Sequence, residues 1–322
     1  MSLEQTIVEH LPHLTPAVLH VLGGIWIFLI VATVVGKLLE LRFPGPGMDA
    51  VNTRIYGWWW MTGIYTVAMG LGPRVFVFFI ALISFLALKE FFTLVPTRRA
   101  DHRALFWSYG SLLIQYPAIA LGWFHVFLLY LPLYHLLVGP FRIVLRGETE
   151  HFVRSSAVVH WGLMICVFCV SHVAYLGTLG LDGNPKGGGA GLALFLVMLT
   201  ELSDVAQFIF GKTLGKHKIM PKVSPNKTWE GLLGGVLTLT VLGALLGPVI
   251  TPLNHLTGAL CGFVLAWVGY VGGAVMSAVK RDVGVKDAGA MIPGHGGILD
   301  RIDSLAYTAP VGFYIFYFGY YA

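Results

Sequence analysis

The chain has 322 residues, of which 56% are hydrophobic, 13% aromatic and only 11% charged, with a mean hydropathy of +0.76. A water-soluble domain carries roughly 25% charged residues. The composition therefore excludes a disordered chain, a nucleic-acid-binding arm and an ordinary cytosolic enzyme, and leaves a polytopic helical membrane protein. The net charge of +5 belongs to loops rather than to a nucleic-acid surface, and no nucleic-acid partner is expected.

A helix needs about 20 apolar residues to cross the hydrocarbon. Taken in chain order, candidate spans fall at roughly 18–41, 56–72, 75–95, 105–121, 123–141, 157–180, 189–210, 231–250, 257–279 and 304–321. The predicted fold is thus all-α, with about ten transmembrane helices and no soluble domain between them. Met1 to Pro16 contains no Lys or Arg, so it lacks the basic region that opens a signal peptide. Cys166 and Cys169 have CxxC spacing and Cys261 stands apart. Within apolar spans all three read as small fillers rather than redox or metal groups. Trp58, Trp59 and Trp60, and Tyr317, Tyr320 and Tyr321, read as interfacial aromatics.

Nineteen of the 21 Lys and Arg follow odd-numbered spans; Arg74 and Lys186 are the exceptions. Because cytoplasmic loops carry the excess of Lys and Arg, the odd-numbered connections are expected in the cytoplasm and both termini outside. The basic clusters include Arg98, Arg99, Arg103, Arg142 and Arg146 as well as those of the later loops.

Two of these polar connections stand out, 211–230 and 280–303. With their flanking motif residues, from Ser203 and from Ser277, they hold nine of the Lys and Arg and six of the 16 acids: Asp204, Glu230, Asp282, Asp287, Asp300 and Asp303. Glu201 and Asp204 lie at i,i+3 near the cytoplasmic end of the seventh span, on one helix face. A carboxylate at membrane depth is costly unless paired, solvated or bound to a cation. Asp300 and Asp303 repeat the i,i+3 spacing, and such hard oxygen ligands suit Mg²⁺, which takes one or two carboxylates and completes its shell with phosphates and water. Clustered glycines permit tight turns and close approach of backbone N–H groups to phosphate, and Lys and Arg hold phosphate oxygens. These parts suit phosphoryl or nucleotidyl transfer, where catalysis is mostly positioning and charge neutralisation. A lone His295 reads as a hydrogen-bonding or phosphate-contacting residue, since a zinc site needs three or four ligands. No P-loop, no nucleophile elbow and no CDP-alcohol phosphatidyltransferase pattern is present.

Ser277, Lys280, Arg281, Lys286, Asp287, Gly289, Pro293, Gly294, His295, Gly296, Gly297, Asp300, Arg301 and Asp303 occur in the order SxxKRx4KDxGx3PGHGGx2DRxD. The sequence here resembles the phosphatidate cytidylyltransferase (CDP-diacylglycerol synthase) family. A second block is similar, through Ser203, Asp204, Gln207, Gly211, Lys212 and Gly215 and then Ser224-Pro225-Asn226-Lys227-Thr228-Trp229-Glu230-Gly231. Two departures suggest a divergent branch. Gly273 stands where bacterial members of the family commonly have a metal-holding Asp, for which Asp282 is a candidate replacement. Gln207 stands where Tyr is usual.

The resemblance implies an integral membrane enzyme that transfers CMP from CTP to phosphatidic acid, or a related lipid phosphate, giving CDP-diacylglycerol and pyrophosphate for phospholipid biosynthesis. It implies a Mg²⁺ cofactor held by Asp204, Asp287, Asp300 and Asp303. Lys280, Arg281, Lys286 and Arg301, with Asp287, would be the catalytic set. Lys212, Lys227, Ser224, Gly294, His295, Gly296 and Gly297 would bind substrate. Residues 1–188 would form an N-terminal transmembrane region of about six spans, and 189–322 the catalytic region with both loops in the cytoplasm. A homodimer is compatible with this reading. A transporter of an anionic solute, a CTP-dependent enzyme for an isoprenoid lipid and a non-catalytic lipid-binding relative are the alternatives. Transporters place their sites near the bilayer midplane, whereas here charge gathers at one rim.

Overall fold

A computed structural model describes residues 11, 13–95, 102–145, 147, 151–292 and 294–322. Most of the N-terminal segment before His13, and Arg98, Arg99, Arg146 and Pro293, lie outside the described residues. The elements are α1 (Pro16–Arg42), α2 (Pro46–Gly70), α3 (Pro73–Leu94), α4 (His102–Gly110), α5 (Leu112–Ala120), α6 (Phe124–Leu129), α7 (His135–Val144), α8 (Phe152–Leu163), α9 (Val170–Thr178), α10 (Gly188–Thr213), β1 (Lys218–Met220), β2 (Ser224–Thr228), α11 (Trp229–Ile250), α12 (His255–Asp282), α13 (Leu299–Ile302) and α14 (Leu305–Tyr320). Wide π turns at Tyr130–Tyr134 and Met164–Cys169 join α6 to α7 and α8 to α9.

The predominantly helical, polytopic architecture matches the expectation, while the exact count of ten spans is not confirmed. Seven helical stretches among the described residues are long and apolar enough to cross a membrane: Pro16–Arg42, Pro73–Leu94, Phe124–Phe141, Phe152–Thr178, Gly188–Thr213, Trp229–Ile250 and His255–Asp282. The other three expected spans are helical but differ in kind. α2 carries Asp49, Asn52 and Arg54 in its first turns. The fourth is broken at Ser111, whose Oγ donates to the Trp107 carbonyl at 2.9 Å. α14 has 16 residues. The connection 211–230 is not all loop: β1 and β2 pair antiparallel, Lys218 with Thr228 and Met220 with Ser224.

Three long helices, α10, α11 and α12, form the scaffold behind the site. The α11–α12 crossing is a seam of small residues, with Gly243 and Gly247 facing Gly258 and Gly262. A Cβ at Gly243 would fall on the Gly258 carbonyl, and one at Gly262 on the Leu239 carbonyl. This is the close approach that small-xxx-small spacing permits in lipid, where packing rather than the hydrophobic effect joins helices. Asn254 and Thr257 cap α12 reciprocally, each side chain accepting the other's backbone N–H at 2.9 Å. Leu233, Leu237, Val241 and Leu245 recur every fourth residue on α11 and are exposed, as a lipid-facing stripe should be.

The N-terminal helices pack onto this scaffold through α9. Gly177 of α9 admits the Phe76 ring of α3, and Gly162 of α8 admits Phe91. Trp58 and Trp59, expected at the interface, are half-buried: Trp59 Nε1 donates to Thr33 at 2.9 Å, and Trp58 meets His295 edge-on. Trp60 is exposed. Tyr317 stacks on Phe124, and Tyr321 Oη donates to the Gly180 carbonyl at 2.8 Å. Cys166 and Cys261 are buried, Cys169 is partly buried, and all three are free thiols.

Candidate active site

The two polar connections fold against each other. Arg281, in the last turn of α12, donates from Nη1 to the Val285 carbonyl at 2.7 Å and from Nε to the Val223 carbonyl at 3.2 Å. It therefore ties its own loop to the tip of the β1–β2 hairpin. The hairpin runs into α11, where Thr228 is the N-cap and accepts from Gly231 N at 3.1 Å. Glu230 in the first turn accepts from Lys216 N at 3.0 Å and from His217 Nδ1 at 2.6 Å. Gly211, Gly215 and Gly231 of the second block serve this junction. A Cβ at Gly231 would stand 2.8 Å from the Gln207 carbonyl, and one at Gly215 2.8 Å from Thr228 Oγ1. Gln207 itself donates to Ser203 Oγ at 2.8 Å.

The loop between α12 and α13 is wound around a carboxylate. Asp300 takes the Lys280 ammonium on Oδ1 at 2.7 Å, and on Oδ2 the backbone N–H groups of Ala288 and Gly297, each at 2.9 Å. Gly294 and Gly296 have φ of +74° and +83°, left-handed conformations that favour glycine. A Cβ at Gly296 would also stand 2.6 Å from Asp300 Oδ2. The Gly294 turn rests on Thr53 and Arg54 of α2, and His295 is buried, its N–H donating to the Ile292 carbonyl at 2.9 Å. The expectation that these glycines present backbone donors to phosphate is modified here: the Gly297 N–H is engaged by Asp300. Asp300, expected among the metal ligands, has both oxygens satisfied inside the protein.

A second carboxylate cluster is centred on Ser304, between α13 and α14. Its backbone N–H donates to Asp303 Oδ1 at 2.7 Å and its hydroxyl to Asp204 Oδ1 at 3.2 Å. Asp204 belongs to α10, one helical turn after a half-buried Glu201. The remaining oxygen of each aspartate has no hydrogen-bond partner among the described residues. Two hard oxygen donors of this kind fit a Mg²⁺ ion that draws the rest of its shell from phosphate and water. No group of three or more His, Cys, Asp or Glu among the described residues forms a fuller cage.

Cations close the cluster. Lys227 of β2 points its ammonium over the Tyr270 ring at 4.4 Å and donates to the Tyr270 carbonyl at 3.3 Å. Its pKa is held below the ordinary lysine range by burial, while Asp204 and then Asp303 draw it back up. Gly273 makes this possible: a Cβ there would lie 3.0 Å from Lys227 Nζ and 3.3 Å from Ser304 Oγ. Arg301 of α13 acts electrostatically on Glu201, Asp204 and Asp303, and its Nε is buried without a hydrogen-bond partner among the described residues. A buried guanidinium donor left open in this way calls for an anion or water.

The remaining predicted residues form the rim. Lys286 and Asp287 are exposed on the loop, Asp282 is exposed at the last residue of α12, and Ser224 is half-buried at the end of the hairpin pair. Lys212 and Arg54 both approach the exposed Phe208 ring, at 5.8 and 5.2 Å. Sequence reasoning missed Ser304, Tyr270, Arg54 and Glu90. Glu90, near the end of α3, accepts from Leu299 N at 2.8 Å. The signal for it existed, since it is an acid within the third apolar span, as Asp204 is within the seventh.

Residues 52–319 match the profile of the cytidylyltransferase family. The chain is 43% identical over 294 residues to the uncharacterized protein YnbB of Escherichia coli, covering 91% of this chain and 96% of that protein. It is 32% identical over 249 residues to the phosphatidate cytidylyltransferase of Staphylococcus epidermidis and 33% over 242 residues to that of Staphylococcus aureus, covering 74% of this chain and 89% of each relative. The chain therefore belongs to the cytidylyltransferase family and is an integral membrane nucleotidyltransferase.

Proposed function

We propose that the protein transfers CMP from CTP to the phosphate of phosphatidic acid or a closely related lipid phosphate, releasing pyrophosphate and giving CDP-diacylglycerol for phospholipid synthesis. The observation that carries this reading is the cluster of polar side chains around Ser304. Two carboxylates with open oxygens, a half-buried lysine and an arginine with an unanswered Nε converge at the junction of the two polar connections. This set can neutralise a polyphosphate while leaving a place for a divalent ion.

In the reaction a lipid phosphate oxygen forms a bond to the α-phosphorus of CTP, and the α–β phosphoanhydride bond breaks with pyrophosphate carrying away its electron pair. A phosphate monoester is already largely ionised near neutral pH, so no strong base is required. Asp204 and Asp303 hold the Mg²⁺, which when bound supplies charge neutralisation at the phosphates. Arg301 and Lys227 hold phosphate oxygens from the inner side, and Lys286 and Asp287 meet the nucleotide from the exposed rim. Lys280 and Arg281 serve by fixing the loop. Lys212, beside exposed Phe208 and Ile209, lies where a headgroup would enter with its tails still in the bilayer. The loops face the cytoplasm, where CTP is supplied and where the Lys and Arg excess belongs.

The test is incubation of purified protein in detergent with radiolabelled CTP, Mg²⁺ and a panel of lipid phosphates, followed by mass spectrometry of the chloroform-soluble product. A CDP-lipid supports the reading, and its identity names the acceptor. Absence of any CDP-lipid from folded protein overturns it, and uptake of label only into sealed vesicles favours transport.

A further inference from the structure

Glu90 is an acid in an apolar helix, 209 residues before its partner in the signature loop. Its carboxylate enters a notch made by two glycines of the signature. A Cβ at Gly289 would stand 2.8 Å from Glu90 Oε1, and a Cβ at Gly297 would fall on the carboxylate itself. Oε2 accepts the N–H of Leu299, the first residue of α13. The Leu299 N–H opens this short turn and has no partner within it, so the Glu90 carboxylate satisfies it. Asp300 engages the Ala288 and Gly297 amides from within the loop, so the same few residues are clasped by one carboxylate of their own and one from α3.

We propose that Glu90 is a positioning residue of the active site, holding the α13 turn in the register that sets Arg301 and Asp303 beside Ser304 and Asp204. Gly289 and Gly297 are then glycines because a side chain from the other half of the protein needs their space. Glu90 does not touch substrate. Its removal lets α13 drift, and displacement of catalytic groups by even about 1 Å can cost on the order of 100-fold in rate.

The turnover arm of the test rests on the reading under Proposed function; the exchange arm does not. Glu90→Ala is expected to lower kcat roughly 100-fold with KM for CTP within about twofold of wild type, and to raise amide hydrogen exchange across 288–303. Glu90→Gln retains an acceptor for Leu299 and keeps both properties near wild type. Glu90→Asp, one methylene short, falls between them and replaces the alanine variant if that does not fold. Gly297→Ala is damaging in the wild-type chain but adds nothing in the Glu90→Ala background, because the carboxylate it collides with is gone. Wild-type exchange and turnover in Glu90→Ala, or full additivity of the two substitutions, would overturn the proposal. If the wild type makes no CDP-lipid yet Glu90→Ala still loosens 288–303, the functional reading fails and the clasp stands. Activity without loosening fails the clasp alone.

Discussion

Lys280 and Asp300 form an ion pair of 2.7 Å in which the two side chains are only 11% and 7% exposed. They lie at the two ends of the signature loop, so the pair closes the loop. Removing one partner of a buried pair leaves an uncompensated charge and costs about 3–5 kcal/mol. Lys280→Met is therefore expected to lower thermal stability clearly in detergent and to reduce turnover with it. An unchanged melting temperature would show that the pair does not hold the loop.

Asp204 and Asp303 play a different part, because each leaves an oxygen open. Asp204→Asn and Asp303→Asn should each lower CDP-lipid formation on the order of 10³-fold, the scale of losing a principal electrostatic contributor. Stability should change little, since Asn can still accept from Ser304. Near-normal turnover in either variant would remove that residue from the metal site.

Chelation provides an independent check on the same cluster. Excess EDTA should abolish turnover and added Mg²⁺ should restore it, while Ca²⁺, larger and less strictly octahedral, should restore it poorly. Activity that survives chelation would leave the acid pair paired with Lys227 rather than with a divalent ion.

Lys227 and Gly273 should behave as one unit. Lys227→Met removes the ammonium from beside Asp204 and Asp303, and Gly273→Val drives it out by taking its space. Each is expected to lower turnover roughly 100-fold, and the double variant no further, as contacting residues are non-additive. Independent, multiplying losses would separate their roles.

Asp287 and Asp300 provide a contrast within one motif. Asp287 is exposed, so Asp287→Asn should melt like the wild type and lose activity through the nucleotide alone, with KM for CTP rising. Asp300→Asn should lose stability, because its carboxylate is the centre of the loop. Identical behaviour of the two variants in a melting experiment would contradict this division.

The long spans were legible because length and hydropathy alone identify a helix that crosses lipid; α1, α10, α11 and α12 fall where the apolar runs lie. The short ones were not. α4 and α5 are two short helices that meet at Ser111, a division that no hydropathy window registers. The hairpin was hidden in a lysine-rich stretch with little β propensity; Arg281 holds its tip and α11 continues from its end. Of the site, the family resemblance rather than any spacing grouped Asp204 with Asp303, and both meet Ser304 in the structure. The i,i+3 spacing of Asp300 and Asp303 suggested a shared cation, yet Lys280 and two amides turn Asp300 inward. Glu90 was beyond reach of motif reasoning because its partner lies in a different half of the chain, although its cost at membrane depth marked it.

The glycine seam between α11 and α12 has a consequence for traffic. Where backbone lies against backbone there is no side chain to swing or compress, so these helices make a fixed wall behind the site. Under the proposed reaction a lipid acceptor would have to come in from another side. Arg54 of α2 meets the Phe208 ring of α10 at 5.2 Å, a contact made by a long side chain rather than by packed backbone, so that is where the surroundings of the site can yield.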